Sequence, residues 1–383
     1  MLFVEILFWV CVAGVAYAYF GYPLLLAMLS RSRTRREILS PGTADDWPSL
    51  TVLIAARNES ARIEAKLDDL LAQDYPSDKL EVIVVSDGST DTTAQIVRAY
   101  RPAEIQCIEL EANVGKESAQ ALGIAAASGD IIVFTDVATR IGGWGLKGMA
   151  QALSAPDVGA VSSEDRFVSA EGKPVGEGLY VRYEMWLRNL ESRVSGLVGL
   201  SGSLFGVRRE LCDEWPVDVP SDFVVALRCA RRGQRAVSLP DVYGIYSDLK
   251  KDSAEFARKR RTAIRGMAGL ASATEVLNPR RYGLFALQAW SHKIIRWAVP
   301  WFMLGALGFN FLLLAESGLY QALLGLQLLA YGITVAAAML PVLRRVAPIR
   351  ILYFFVISNL ALAFALVEFL RGRRVVRWEP SVR

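Results

Sequence analysis

The hydrophobic pattern changes period twice along the chain. Residues 2–29 are one nearly unbroken apolar run, interrupted by Glu5, Gly14, Gly21 and Pro23. A helix needs about 20 residues to cross the hydrocarbon of a bilayer, so the run predicts a transmembrane helix over 1–30. A secretory leader is the competing reading, because Ala16-Tyr17-Ala18 resembles a cleavage site. Against it, no Lys or Arg precedes the run, and the apolar residues continue past that point to a basic cluster, Arg31, Arg33, Arg35 and Arg36. A leader has the opposite charge order. The positive-inside rule then places the N-terminus outside and the middle of the chain in the cytoplasm. Near the other end, 297–315, 319–342 and 351–370 predict about three further transmembrane helices. The stretch 284–296 mixes apolar residues with His292, Lys293 and Arg296, and predicts a helix lying in the interface. Four spans return the C-terminus to the outside, whereas Arg371, Arg373, Arg374 and Arg377 in the tail 371–383 favour the inside. A re-entrant stretch and overridden charges both remain open.

Between 44 and 280 short apolar runs alternate with helical spacing. Leu50–Ala55, Val82–Val85, Ile105–Leu110 and Ile131–Thr135 read as strands. Ile63, Leu67, Leu70 and Leu71 recur at helical spacing, as do residues of 91–100 and 116–127. The order β-α-β-α predicts an α/β domain with a doubly wound, mostly parallel sheet. Such sheets bind ligands beyond the carboxyl ends of their strands. Arg57-Asn58-Glu59, Asp87-Gly88-Ser89 and Asp136 all fall there. A G-x-G-x-x-G turn and a P-loop are both missing, which argues against the dinucleotide-binding and P-loop readings.

Composition removes several classes. The formal net charge of +4 makes no case for nucleic acid. Four widely spaced cysteines and the single His292 give no C-x-x-C pair and no Cys/His metal set. A transporter is disfavoured, because the apolar runs carry little charge beyond Glu5 and Glu368, each near an end.

Four blocks in order, Leu53–Glu59 (LIAARNE), Val84–Asp91 (VVSDGSTD), Asn113–Lys116 (NVGK) and Ile131–Asp136 (IIVFTD), resemble the nucleotide-sugar half of family 2 inverting glycosyltransferases, which have the GT-A fold. The resemblance covers roughly 48–270, and the SHKIIRWAVPWF stretch is similar to the membrane-bound, polysaccharide synthase-like branch. It implies that the loop Ala56, Arg57, Glu59 wraps base and ribose. It also implies that Asp87 accepts the imino proton of the base; the plainer reading is an Asx turn capping the next helix. Asp91 reads as such a helix-terminal acid. Lys116 stands at a helix N-terminus, where a cation is unfavourable unless an anion is near; a diphosphate would supply one. Asp136 is the implied ligand of Mg²⁺ or Mn²⁺. The family's Asp-x-Asp is Asp136-Val137-Ala138 here, so the second acid is missing, although Mg²⁺ can be held by one carboxylate with substrate phosphates and waters.

An acceptor hydroxyl must lose a proton as it attacks. In Pro220–Arg232 (PSDFVVALRCARR) the family's Glu-Asp pair is Ser221-Asp222, and the resemblance carries the base onto Asp222. The alternative is a helix N-cap, for which Ser221 is equally suited. Arg258-Lys259-Arg260-Arg261-Thr262 stands in the place of Gln-x-x-Arg-Trp. Arg261 matches the motif arginine, Arg258 replaces Gln, and Thr262 replaces Trp, which puts processive synthesis in doubt. A basic helix face on anionic lipid is the other reading. The expectation is an inverting transferase in the cell membrane, taking a UDP-linked sugar to a glycan or lipid-linked hydroxyl. The alternative is a non-catalytic subunit that binds nucleotide sugar or scaffolds a synthase complex.

Overall fold

A computed structural model describes residues 1–31, 47–100, 105–168, 179–247 and 252–375. Arg33, Arg35, Arg36 and Arg377, and the expected domain start at 44, lie outside the described residues. The chain divides into two compact units. One comprises Met1–Met28, Lys251–Met267 and Leu287–Arg374; the other is Leu29–Lys250, Ala268–Ala286 and Val375–Arg383.

The α/β unit holds one eight-stranded sheet: β1 (Leu50–Ala56), β2 (Leu80–Asp87), β3 (Gln106–Leu110), β4 (Ile131–Thr135), β5 (Arg140–Gly143), β6 (Val158–Val168), β7 (Leu204–Arg208) and β8 (Arg235–Ser247). Their order is β3-β2-β1-β4-β7-β6-β8-β5. The block β3-β2-β1-β4 is parallel throughout. β7 enters antiparallel to β4 and β6, β6 pairs parallel with β8, and β5 closes antiparallel on β8. The sheet is therefore mixed, with the expected doubly wound half intact. Its switch point lies between β1 and β4, where successive connections leave in opposite directions and open a crevice.

Alternation along each buried strand sends side chains to two helix layers. Val52, Ile54 and Val84 face Ile63, Leu67 and Leu70; Leu53, Ile83, Val85 and Phe134 face Ala119, Val225 and Cys229. The ring of Phe134 stacks between Phe205 at 4.8 Å and Trp215 at 4.7 Å. A fully buried Phe or Leu of this kind stabilises by about 1.5–3 kcal/mol. Gly88, at φ +60°, is required after β2: a Cβ there would stand 2.5 Å from the backbone of Ala112 and Asn113.

The other unit is helical. The described residues contain four helical runs long and apolar enough to cross a membrane: Leu2–Arg31, Pro279–Leu312, Gly318–Met339 and Ala347–Leu370. The stretch 284–296 is the middle of the second run, which departs from helical geometry at Gly283. The first two runs each contain a π-helical turn, Tyr17–Gly21 and Trp290–Ile295, and the two turns meet through Tyr17 Oη and Ser291 Oγ at 2.8 Å. Polar pairs tie the remaining helices: Tyr320 donates to Glu5 at 2.5 Å, and Asn359 Nδ2 to Tyr19 Oη at 3.1 Å. The helix Asp252–Ala271 carries Arg258 and Arg261, and both belong to this unit. Its Lys259 donates to Ser358 at 2.7 Å, and Arg260 pairs with Glu368 at 3.4 Å.

Candidate active site

The loops after β1 and β2 are stitched into one wall. Asn58, in the left-handed region at φ 53°, accepts from the Thr90 amide at 2.8 Å. The amides of Glu59 and Ser60 donate to Thr93 Oγ1 at 2.8 Å and Asp91 Oδ2 at 3.1 Å. Asp91 also accepts from the Thr93 amide at 3.0 Å, so it does close the next helix. Burial pushes its carboxyl upward, but the hydrogen bonds from Thr93 and Ser60 outweigh this and hold it at about 2. Ala56 ends β1 inside the core, Arg57 follows it, and the Glu59 carboxylate turns to Arg62 at 3.3 Å.

Asp87 ends β2 and is only 4% exposed. Its Oδ1 accepts from the Val114 amide at 2.7 Å and its Oδ2 from the Gly115 amide at 3.0 Å. It therefore shapes the loop that leads into the helix Lys116–Ala126, in addition to whatever it offers a ligand.

Lys116 opens that helix and finds its anion within the protein. Its Nζ donates to Asp136 Oδ1 at 2.6 Å and to Gly202 O at 3.0 Å. Burial disfavours the ammonium, yet the attraction of Asp136, with smaller contributions from Glu117 and Asp222, raises its pKa overall. Asp136 follows β4 directly, and its amide donates to Ser203 O at 3.0 Å.

Asp222 lies in the first turn of the helix Ser221–Arg231, whose N-cap is Pro220. Ser221 does not cap it; its hydroxyl donates to Gln120 Oε1 at 2.9 Å, and Trp215 Nε1 reaches the same oxygen at 3.3 Å. Gln120 stands one turn beyond Lys116, so these bonds tie the helix of Lys116 to that of Asp222. Asp222 Oδ1 accepts its neighbour's amide, Phe223 N at 3.0 Å. Its Oδ2 faces Gly202, where an added Cβ would come within 2.7 Å of it. Lys116, Asp136 and Asp222 therefore converge on Gly202.

Two features escaped the sequence reading. Lys66, with a fully buried side chain, donates to Thr135 Oγ1 at 3.1 Å and Thr139 O at 2.5 Å, and lies 3.6 Å from Asp69. Desolvation lowers it to about 8 against the attraction of Asp69 and Asp136. The signal was present: Ile63, Lys66, Leu67 and Leu70 occupy one helix face. The second feature is Asp165, whose Oδ1 accepts from Ser201 Oγ at 2.5 Å and Ser203 Oγ at 3.2 Å, bracing the segment around Gly202. No pattern along the chain announces that contact.

The model of the family described as "Glycosyl transferase family 2" matches residues 51–214. The chain carries a family 2 glycosyltransferase domain. The poly-β-1,6-N-acetyl-D-glucosamine synthase of Staphylococcus aureus is 35% identical over 98 residues, 25% of this chain and 23% of that protein. Its Staphylococcus epidermidis counterpart is 31% identical over 107 residues, 28% and 26% of the two chains. The match thus spans about a quarter of these curated relatives. Among solved structures, the mannosyltransferase PcManGT from Pyrobaculum calidifontis, in complex with GDP-Man and Mn²⁺, superposes with a TM-score of 0.73 at 26% identity, covering 96% of this chain and 100% of that one. The GT-A fold of the glycosyltransferase domain follows from this similarity.

Proposed function

We propose that the protein is a membrane-bound inverting glycosyltransferase that moves a sugar from a nucleoside diphosphate, UDP in the leading version, to a hydroxyl of a glycan or lipid-linked acceptor. The observation that carries this is the convergence of Asp136, Lys116 and Asp222 on Gly202, at the carboxyl edge of a doubly wound sheet. PcManGT was solved with a nucleotide sugar and Mn²⁺, which supports the same pair of ligands here.

Oxygen donors suit a hard divalent cation. Asp136 Oδ1 and Gly202 O already share one cation, the Lys116 ammonium. The donor set fits Mg²⁺ or Mn²⁺ held by Asp136 with the donor's phosphates and waters. When bound, the metal would neutralise charge that builds on the leaving diphosphate. Lys116 offers that diphosphate a second positive charge. Asp87, through Val114 and Gly115, shapes the loop on which the base would rest, with Ala56, Arg57 and Glu59 in the adjoining wall. Asp222 takes the acceptor's proton as the new C–O bond forms and the bond to the phosphate oxygen breaks. Arg258 and Arg261 are proposed diphosphate ligands, with anionic lipid as their alternative partner.

The unit faces the cytoplasm in this reading, where nucleotide sugars are made and where Arg31 and the basic residues after it would remain. Cell-surface glycan synthesis is the proposed setting, with further synthase subunits as partners. The reading as a non-catalytic subunit rests on Ala138, and the position of Asp222 beside the other two residues favours the enzyme. Asp222→Asn decides between them. Donor binding should stay near wild type while transfer falls about 10²–10⁴-fold, the range for a positioned base. A folded Asp222→Asn protein that transfers sugar at the wild-type rate removes Asp222 from the mechanism.

A further inference from the structure

Asp136 Oδ1 and Gly202 O are occupied by a cation that belongs to the chain itself, Lys116 Nζ at 2.6 Å and 3.0 Å. We propose that Lys116 makes metal binding conditional on the donor: its ammonium holds the metal's seat on Asp136 until the diphosphate draws it away. The inference rests on the reading of Asp136 as the metal ligand and adds an order of binding to it.

Three observations carry it. First, the protein offers little else to a divalent cation. Position 138 is Ala, and among the described residues no group of three His, Cys, Asp or Glu is placed to hold a metal ion. A cation arriving alone must therefore compete for the one carboxylate that Lys116 neutralises. Second, the competition is exclusive. A metal on Asp136 Oδ1 and an ammonium hydrogen-bonded to the same oxygen would be two cations in near contact, and like charges so close repel strongly in a partly buried site. Side-chain exposures of 14% for Lys116 and 25% for Asp136 leave little solvent to screen them. Third, the other nearby cation cannot exchange roles. Lys66 is fixed by Thr135, Thr139 and Asp69 and has no exposed side-chain surface. The Lys116 ammonium instead reaches Asp136 and Gly202 from a flexible stem at a helix end. A diphosphate offers it several oxygens at a helix N-terminus, where anions are favoured. Once the ammonium turns to phosphate, Asp136 is freed as the metal arrives with that same phosphate. Donor and metal then raise each other's affinity, as linkage requires.

The test measures Mn²⁺ binding to the full chain in detergent, by electron paramagnetic resonance and without nucleotide. Wild type should bind weakly. Lys116→Met should bind about tenfold or more tightly, within the usual range of coupling between sites, and Lys116→Met combined with Asp136→Asn should lose that gain. Equal nucleotide-free Mn²⁺ affinity in wild type and a folded Lys116→Met protein overturns the proposal. Should Lys116→Met melt below the assay temperature, Lys116→Gln carries the same comparison. Adding UDP or GDP separates the two ideas. Failure of either nucleotide to bind in the presence of Mn²⁺ overturns the transferase reading, and with it the coupling to a donor. Nucleotide binding without a nucleotide-free gain in Lys116→Met leaves the transferase reading standing and removes only the role of Lys116.

Discussion

The ends of β2 and β4, separated in the sheet by β1, each present an aspartate to the same crevice, and the two are neutralised by opposite means. Asp87 is buried and spends both oxygens on backbone amides, which cannot leave without unmaking a loop. Asp136 is a quarter exposed and is matched by one lysine on four rotatable bonds. Compensation by backbone fixes a shape; compensation by a long side chain leaves a charge that can be handed to something else. The difference teaches that an acidic residue's place in a motif says less about its chemistry than the mobility of what balances it.

Asp136→Asn should have the largest effect. Metal stabilisation of a leaving phosphate is worth several kcal/mol, so metal-dependent turnover should fall by about 10³-fold or more while the melting midpoint stays close to wild type. Unchanged turnover and an unchanged response to Mn²⁺ would erase the contrast between the two aspartates. Gly202→Ala comes next, because its Cβ would meet Asp222 Oδ2 at 2.7 Å. A displacement of about 1 Å can cost about 100-fold in rate, and kcat should carry that loss with donor affinity less affected. Asp87→Asn sharpens the comparison from the other side. One of the two amides would face an NH₂ group, at a cost of about 1–3 kcal/mol, read as a lower melting midpoint even before any ligand is added. A midpoint equal to that of wild type would mean that the loop at Val114 and Gly115 does not depend on Asp87.

The smallest effect concerns pH. Lys66 titrates at about 8 in the fold against 10.5 when free. Between those values the unfolded chain binds more protons, so this group's contribution to stability should rise with pH from about 8 and level off above 10.5. The slope is at most about 1.4 kcal/mol per pH unit. Melting curves at pH 7.5, 8.5 and 9.5 should show that rise in wild type and a flatter profile in Lys66→Met.

The parallel half of the sheet was legible because its strands are buried on both faces and read as short apolar runs. Expected strands at 50–55, 82–85, 105–110 and 131–135 correspond to β1–β4 with small shifts at the ends. Beyond Asp136 the pattern blurs, since β6 carries Glu164, Asp165 and Arg166, and β8 contains Pro240 and Asp241. Those polar positions brace the segment around Gly202 or lie near the end of the sheet, so the alternation that marks a strand is broken. The individual acids Asp87, Asp136 and Asp222 were legible from spacing and resemblance. Their partners were not: the amides on Asp87, the ammonium on Asp136 and the serines on Asp165 come from residues 27–28, 20 and 36–38 positions away. Only the fold brings them together.

The paired π-helical turns at Tyr17–Gly21 and Trp290–Ile295 bear on how this helical unit can tolerate changes in length. Each wide turn accommodates one residue more than an α-helical turn would. Removing that residue would restore regular winding and rotate everything beyond it by about 100° about the helix axis. Tyr17 and Ser291 meet across the two turns at 2.8 Å, so a deletion in one run would swing its half of this contact out of reach. Single-residue insertions and deletions in either helix should therefore survive only with a matching change in the other, whereas substitutions that keep the length should be absorbed locally.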